Sequence, residues 1–333
     1  MKALSSYQNY LPLVLTLCVG IFVGFLLGGH ATQKIPAYLG GSNDIRSDSG
    51  NYHFISPLLS CTDNGLGSLQ NDDAANLHDD LNALINRETK VGKVSEVSIY
   101  FRQFNDGSWI DINGSTTFTP GSLLKVPVVM SVLNYAEDTP GFLDKKITFD
   151  TPGIDNEQYY PPSKTIVHGE KYTIPQLAEA ALEYSDNNAA YLLANSIDWN
   201  NLTDSFTSLG IQNPSPNADA TMSVTKYASF FRILYNATYL NRTDSEYVLN
   251  LMSQSTFSQG LVAGVPKGVV VSHKFGEREL DTTNQLHDCG IVYYPNNPYL
   301  LCVMTRGSSY DDLAGTIADI SKMVYGYIDS IKK

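Results

Sequence analysis

The sequence predicts an α/β protein of the α+β kind, in which an antiparallel sheet packs against helices and a largely helical lobe is inserted in the middle of the chain. Three observations carry that expectation. Two β-rich runs lie between Val97 and Ile112, helical patterning extends from Gly121 to about Ser253, and strand character returns from Val269 to Met304 before a closing helix. The 333 residues are 43% hydrophobic and 17% charged, which supplies a sizeable core. A net charge of −12 lacks the cationic footprint of a phosphate-backbone binder, so no nucleic-acid partner is expected.

Taken in order, Leu11 to Gly28 is an uncharged apolar run that spans about 27 Å as a helix, just enough for a bilayer core. Lys2 precedes it, which by the positive-inside tendency places the rest of the chain outside the cytoplasmic membrane. Residues 1–33 therefore read as a membrane anchor. The competing reading is a cleaved signal peptide, because Gly29-His30-Ala31 has small residues where a signal peptidase cuts. Residues 34–52, rich in Gly, Ser, Asp and Asn, read as a flexible linker, and residues 53–333 as the folded domain.

Within that domain Asp72 to Glu88 has Ala74, Leu77, Leu81, Leu84 and Ile85 at helical spacing. Val97–Phe101 and Trp109–Ile112 flank Asn105-Asp106-Gly107, a hairpin signal. Helices are expected through the middle, broken at Pro161-Pro162 and at Asn213-Pro214-Ser215-Pro216. Strands follow at Val269–Val271, Gly290–Tyr294 and Tyr299–Met304, and a last helix runs from about Tyr310 to Ile331. Four cysteines show no C-x-x-C pair and six histidines no metal-binding spacing, so neither a metal nor another cofactor is expected. If Pro295-Asn296-Asn297-Pro298 is the turn between the last two strands, Cys289 falls opposite Met304 and Cys302 opposite Ile291. That register makes the thiols diagonal neighbours, ~7–8 Å apart at the backbone, and predicts no Cys289–Cys302 bond.

Three short motifs carry chemistry. Ser122-Leu123-Leu124-Lys125 sets a hydroxyl and an amine one helical turn apart, at the start of the apolar run Val126 to Leu133. There the unpaired N–H groups of a helix start would stabilise an oxyanion, although a serine at that place also serves as a simple cap. Ser185-Asp186-Asn187 adds a second hydroxyl and a carboxamide at a junction between helices, or else a plain cap or turn. His273-Lys274-Phe275-Gly276 puts a cation and a glycine on a strand, where the glycine would let a substrate approach the backbone; an exposed edge lysine is the alternative. A serine hydroxyl needs a base to attack at neutral pH, and an amine whose pKa is lowered by burial and a second cation can be that base. No G-x-S-x-G occurs, which argues against an α/β-hydrolase.

In this order and context the three motifs resemble those of the penicillin-recognising serine hydrolases, most closely the class A β-lactamases, over nearly all of residues 53–333. The resemblance implies a five-stranded antiparallel sheet, a helical lobe and a cleft between them. It assigns Ser122 as nucleophile, Lys125 as base, Ser185 as proton relay and Asn187 as substrate ligand. Lys274 would hold the field near Ser185 and the substrate carboxylate, and the backbone N–H groups of Ser122 and Glu277 would form the oxyanion hole.

The chain departs from that family twice. No glutamate occurs between Glu183 and Glu246, the interval in which the family carries its deacylating residue, and Asp219-Ala220-Thr221 resembles the exit of a shortened loop. Phe275 stands where a hydroxyl residue is expected to bind the substrate carboxylate, a contact that Arg278 or Arg306 would have to replace. Three functions fit: a hydrolase acylated by β-lactams or related amides, a cell-wall peptidase or esterase with slow deacylation, and a non-catalytic wall-binding domain. The expected partner is a small-molecule or peptide substrate, with the membrane engaged through residues 11–28.

Overall fold

A computed structural model describes residues 52–56, 72–153, 158–211, 221–280 and 283–331. The anchor or signal segment and nearly all of the linker lie outside the described residues, as do Cys18, Cys61 and Asp219. Among the described residues no helix is long and apolar enough to cross a membrane.

The first helix, α1 (Asp72–Lys90), leads into the antiparallel hairpin β1 (Glu96–Gln103) and β2 (Trp109–Ile112), where the Asp-Gly signal placed it. The short strand β3 (Thr117–Phe118) and a 3₁₀ turn at Gly121–Leu124 precede α2 (Lys125–Glu137). The lobe continues through β4 (Lys146–Thr148), β5 (Lys171–Thr173), α3 (Ile174–Leu182), α4 (Asn187–Ala194) and α5 (Trp199–Ser208). Then come β6 (Met222–Ser223), α6 (Val224–Asn236), α7 (Arg242–Ser253) and the single turn α8 (Gly260–Ala263). The chain returns to the sheet with β7 (Val271–Leu280), β8 (Thr283–Val292) and β9 (Tyr299–Gly307), and closes with α9 (Tyr310–Ser330).

The main sheet has five strands in the order β2-β1-β9-β8-β7, every neighbouring pair antiparallel. Side chains alternate across it because the strand period is two. Along β9, Leu300, Cys302 and Met304 join the core shared with the lobe, whereas Tyr299, Leu301 and Val303 join the core shared with α1 and α9. Both faces are thus covered, which explains why β9 reads as a nearly continuous apolar run and why β8 is buried from Gln285 to Val292 despite its polar residues. Helix α2 sits in the lobe core, with Val126, Val129, Met130, Val132 and Leu133 all buried.

The expected cysteine register is wrong by two residues. Cys289 lies directly opposite Cys302, and the two form a disulfide. The turn is centred on Pro295-Asn296, closed by Asn297 N–H donating to the Tyr294 carbonyl at 3.0 Å. Proline presets the first central position and Asn296, at φ 60°, tolerates the left-handed second one. A shift of two keeps each side chain on its face, so the pattern of apolar residues could not reveal the error.

Candidate active site

The backbone of Pro120 to Leu124 lies against the outer edge of β7, and two glycines make that approach possible. Gly121 adopts φ 54°, and a Cβ on it would overlap the Glu277 carbonyl oxygen. A Cβ on Gly276 would overlap the Pro120 carbonyl oxygen. Gly276 is buried and serves this contact. Ser122 and Glu277 consequently line one cleft of about 720 Å³, together with Lys125, Asn187 and Arg278. Ser122 is not a cap: the 3₁₀ turn is preceded by Pro120, with no side-chain capping bond.

Strand β8 holds the same segment from behind. Gln285 Oε1 accepts the Thr119 N–H at 2.9 Å, and His287 Nε2 pairs with the Thr119 carbonyl at 3.1 Å. His287 Nδ1 accepts from Thr305 N–H at 3.3 Å, which assigns the proton to Nε2. Burial lowers His287 to about 4, so the ring is neutral near neutral pH. Tyr227 Oη donates to the Leu123 carbonyl at 3.0 Å and completes the support.

Ser185 brings the two lysines together. It has φ 62°, unusual for a residue with a side chain. The carboxylate of Asp186 pins the conformation by accepting N–H groups from Asn188 (2.7 Å), Ala189 (3.2 Å) and Ile166 (2.7 Å). Asp186 thus supplies the α4 cap that the sequence allowed at this junction, and leaves the serine available. Nζ of Lys125 donates to the Ser185 carbonyl and to Ser185 Oγ at 3.1 Å. Nζ of Lys274 donates to the same Oγ at 2.9 Å and to the Phe275 carbonyl at 3.0 Å.

Both amines are depressed. Burial, and then the Lys274 charge, hold Lys125 well below the ordinary lysine range, with Asp186 and Glu277 opposing. Burial lowers Lys274 to about 7 against the pull of Asp288 and Glu277. Lys274 is on an edge strand yet is 0% exposed, so it is no solvated edge lysine. A hydroxyl on a short turn, an amine of lowered basicity in the same cleft and a second hydroxyl shared by two amines can accept and pass one proton.

Other placements differ from expectation. Arg306 ion-pairs with Glu96, donates to the Thr117 carbonyl at 3.2 Å and lies over Phe118, so it does not line the cleft. Arg278 does line it and is exposed. Sequence reasoning missed the opposite wall, Gln158, Tyr159 and Tyr310. Tyr159 stacks on Tyr310 at 4.7 Å, and the Glu277 carboxylate accepts the N–H groups of Tyr159 (2.6 Å) and Tyr160 (3.2 Å). The doublet Tyr159-Tyr160 beside Pro161-Pro162 was the one signal, and it read as a break between helices.

Comparison with known proteins agrees with this geometry. Residues 76–328 match the model of the Beta-lactamase enzyme family. A β-lactamase of Proteus vulgaris is 26% identical over 215 residues, which cover 60% of this chain and 69% of that protein. Beta-lactamase CTX-M-97 of Escherichia coli is 25% identical over 230 residues, 65% of this chain and 77% of the relative. Among solved structures, PBP-A superposes with a TM-score of 0.65 at 21% identity, covering 79% of this chain and 98% of that one. A class A β-lactamase from Mycobacterium abscessus gives 0.63 at 21%, covering 76% and 99%. A match to the family model over three quarters of its length, on a fold shared with these structures, shows that this chain belongs to the β-lactamase enzyme family.

Proposed function

We propose that the protein is a serine hydrolase that forms an acyl-enzyme at Ser122 with β-lactams or related amides. The observation that carries the proposal is the Lys125–Ser185–Lys274 chain of hydrogen bonds beside Ser122. Lys125, whose amine burial and the Lys274 charge hold well below the ordinary lysine range, takes the Ser122 proton as Oγ bonds to the carbonyl carbon. The N–H groups of Ser122 and Glu277 receive the developing oxyanion. When the C–N bond breaks, the proton passes through Ser185 to the leaving nitrogen, and water later releases the acid. Asn187 lines the cleft where a substrate amide would lie.

Deacylation is slow in this reading. Among the described residues the carboxylates lining the cleft are Glu277 and Glu279, on the strand side, and the 188–245 interval holds no glutamate. Intact-mass measurement after incubation with a β-lactam tests both claims. A persistent adduct is expected in wild type and none in folded Ser122→Ala; an adduct on that variant, or release as fast as formation, overturns the assignment or the slow step respectively.

The same reading places the domain outside the cytoplasmic membrane, tethered by residues 11–28. The uncharged run after Lys2 supports it, and the Cys289–Cys302 disulfide suits an oxidising compartment. Protease added to intact cells should then release the domain; protection until lysis would reverse the topology.

A further inference from the structure

Thr119 stands three residues before Ser122, and side chains of a single strand take both of its backbone polar groups. Gln285 Oε1 accepts the Thr119 N–H at 2.9 Å, and His287 Nε2 donates to the Thr119 carbonyl at 3.1 Å. Residues two apart on a strand share a face, so β8 presents the amide and the ring side by side, as a neighbouring strand would present its own C=O and N–H. The ring is fixed on its far side as well. Its Nδ1 accepts the Thr305 N–H from β9 at 3.3 Å, and Phe118 meets it edge-on at 5.3 Å. His287 also lies opposite Gly276, the glycine against which the Pro120 carbonyl packs.

The link from Thr119 to Ser122 is short and stiff. The Pro120 ring locks its own φ, and the Leu123 N–H closes the turn onto the Pro120 carbonyl at 3.1 Å. A displacement of Thr119 therefore reaches Ser122 with little loss. Packing alone would not choose these two side chains. Farther along the same face of β8, Cys289 and Ile291 join the lobe core, whereas Gln285 and His287 are polar and only 1% and 0% exposed. Burying an amide and an imidazole costs free energy that only their hydrogen bonds return, and apolar residues of similar size would avoid that cost.

We propose that Gln285 and His287 are positioning residues for the reaction: by gripping Thr119 they set where Ser122 meets the acyl carbonyl, without touching substrate. The proposal rests on Ser122 being the nucleophile. Neither side chain lines the cleft, so losing either slows the chemical step and leaves substrate binding as it was.

Stopped-flow acylation of the full chain by a fluorescent penicillin, over a range of concentrations, separates the maximal rate from the half-saturating concentration. His287→Leu and Gln285→Leu are each expected to lower the maximal rate roughly tenfold, the equivalent of one hydrogen bond, with half-saturation unchanged. His287→Gln keeps an N–H donor at the Nε2 position and is expected to stay near the wild-type rate. Because both side chains act through one residue, the double Leu variant should be little slower than the slower single one. A wild-type rate in the folded Leu variants, a change confined to half-saturation, or His287→Gln as slow as His287→Leu overturns the positioning role and leaves Ser122 as nucleophile. Failure of wild type to be acylated at all overturns the nucleophile itself. If His287→Leu does not fold, Gln285→Leu decides by the same split.

Discussion

The Thr117–Leu124 segment and the Gln158–Tyr160 segment both flank strand β7, and they are held in different ways. The first has its backbone fixed from several directions, by Gln285 and His287 at Thr119, Tyr227 at Leu123 and Arg306 at Thr117, and it packs against β7 through Gly121 and Gly276. The second rests on the carboxylate of Glu277 and on stacked rings near the surface. A nucleophile must stay within a fraction of an ångström of its base, whereas a cleft wall must admit a substrate. The number of independent backbone contacts follows that division.

The largest test breaks the rigid side. Gly276→Ala would drive a methyl group into the Pro120 carbonyl and displace Ser122 from the Glu277 N–H. Acylation should fall roughly hundredfold, the cost of losing one oxyanion donor. A folded Gly276→Ala protein that acylates at the wild-type rate would show that the close approach is irrelevant to the chemistry.

A second test uses pH. His287 titrates at about 4 in the fold against an ordinary 6.5, so between these values the unfolded chain binds a proton that the native state refuses. Stability is therefore lost as pH falls from about 6.5 to about 4, by on the order of 3 kcal/mol from this one group. Urea unfolding across that range should show the loss, and His287→Gln should flatten it; an unchanged slope in the variant would remove His287 as the cause.

The smallest effect is expected at the wall. Glu277→Ala removes the acceptor for two N–H groups at a partly exposed site, worth about 1 kcal/mol. Amide hydrogen exchange at Tyr159 and Tyr160 should quicken about fivefold, while Thr119 and Leu123 keep their protection. Equal quickening at all four would mean that the two segments open as one.

Much of this site is legible in the sequence. Ser122, Lys125, Ser185 and Lys274 stood out because each lies in a short motif at the start of a helix or on a strand, and local spacing is written directly in the chain. Asp186 was visible only as a cap, because its role depends on the N–H of Ile166, which the lobe brings to it. Gln285 and His287 gave no signal. Their partner, Thr119, is more than 160 residues away, and only the sheet makes them neighbours.

By itself the sequence determined the alternation of strands and helices, the hairpin at Asp106-Gly107, the apolar stripe of α2 and the order of the three short motifs. All of these follow from periodicity and from the backbone preferences of Gly, Pro and Asn, which act over a few residues. The pairing of Cys289 with Cys302, the burial of Lys274 beneath Phe275 and the bridging of two amines by one hydroxyl were decided by tertiary structure alone. Register across a turn and desolvation at a strand edge depend on what packs against them, and those neighbours arrive from distant parts of the chain.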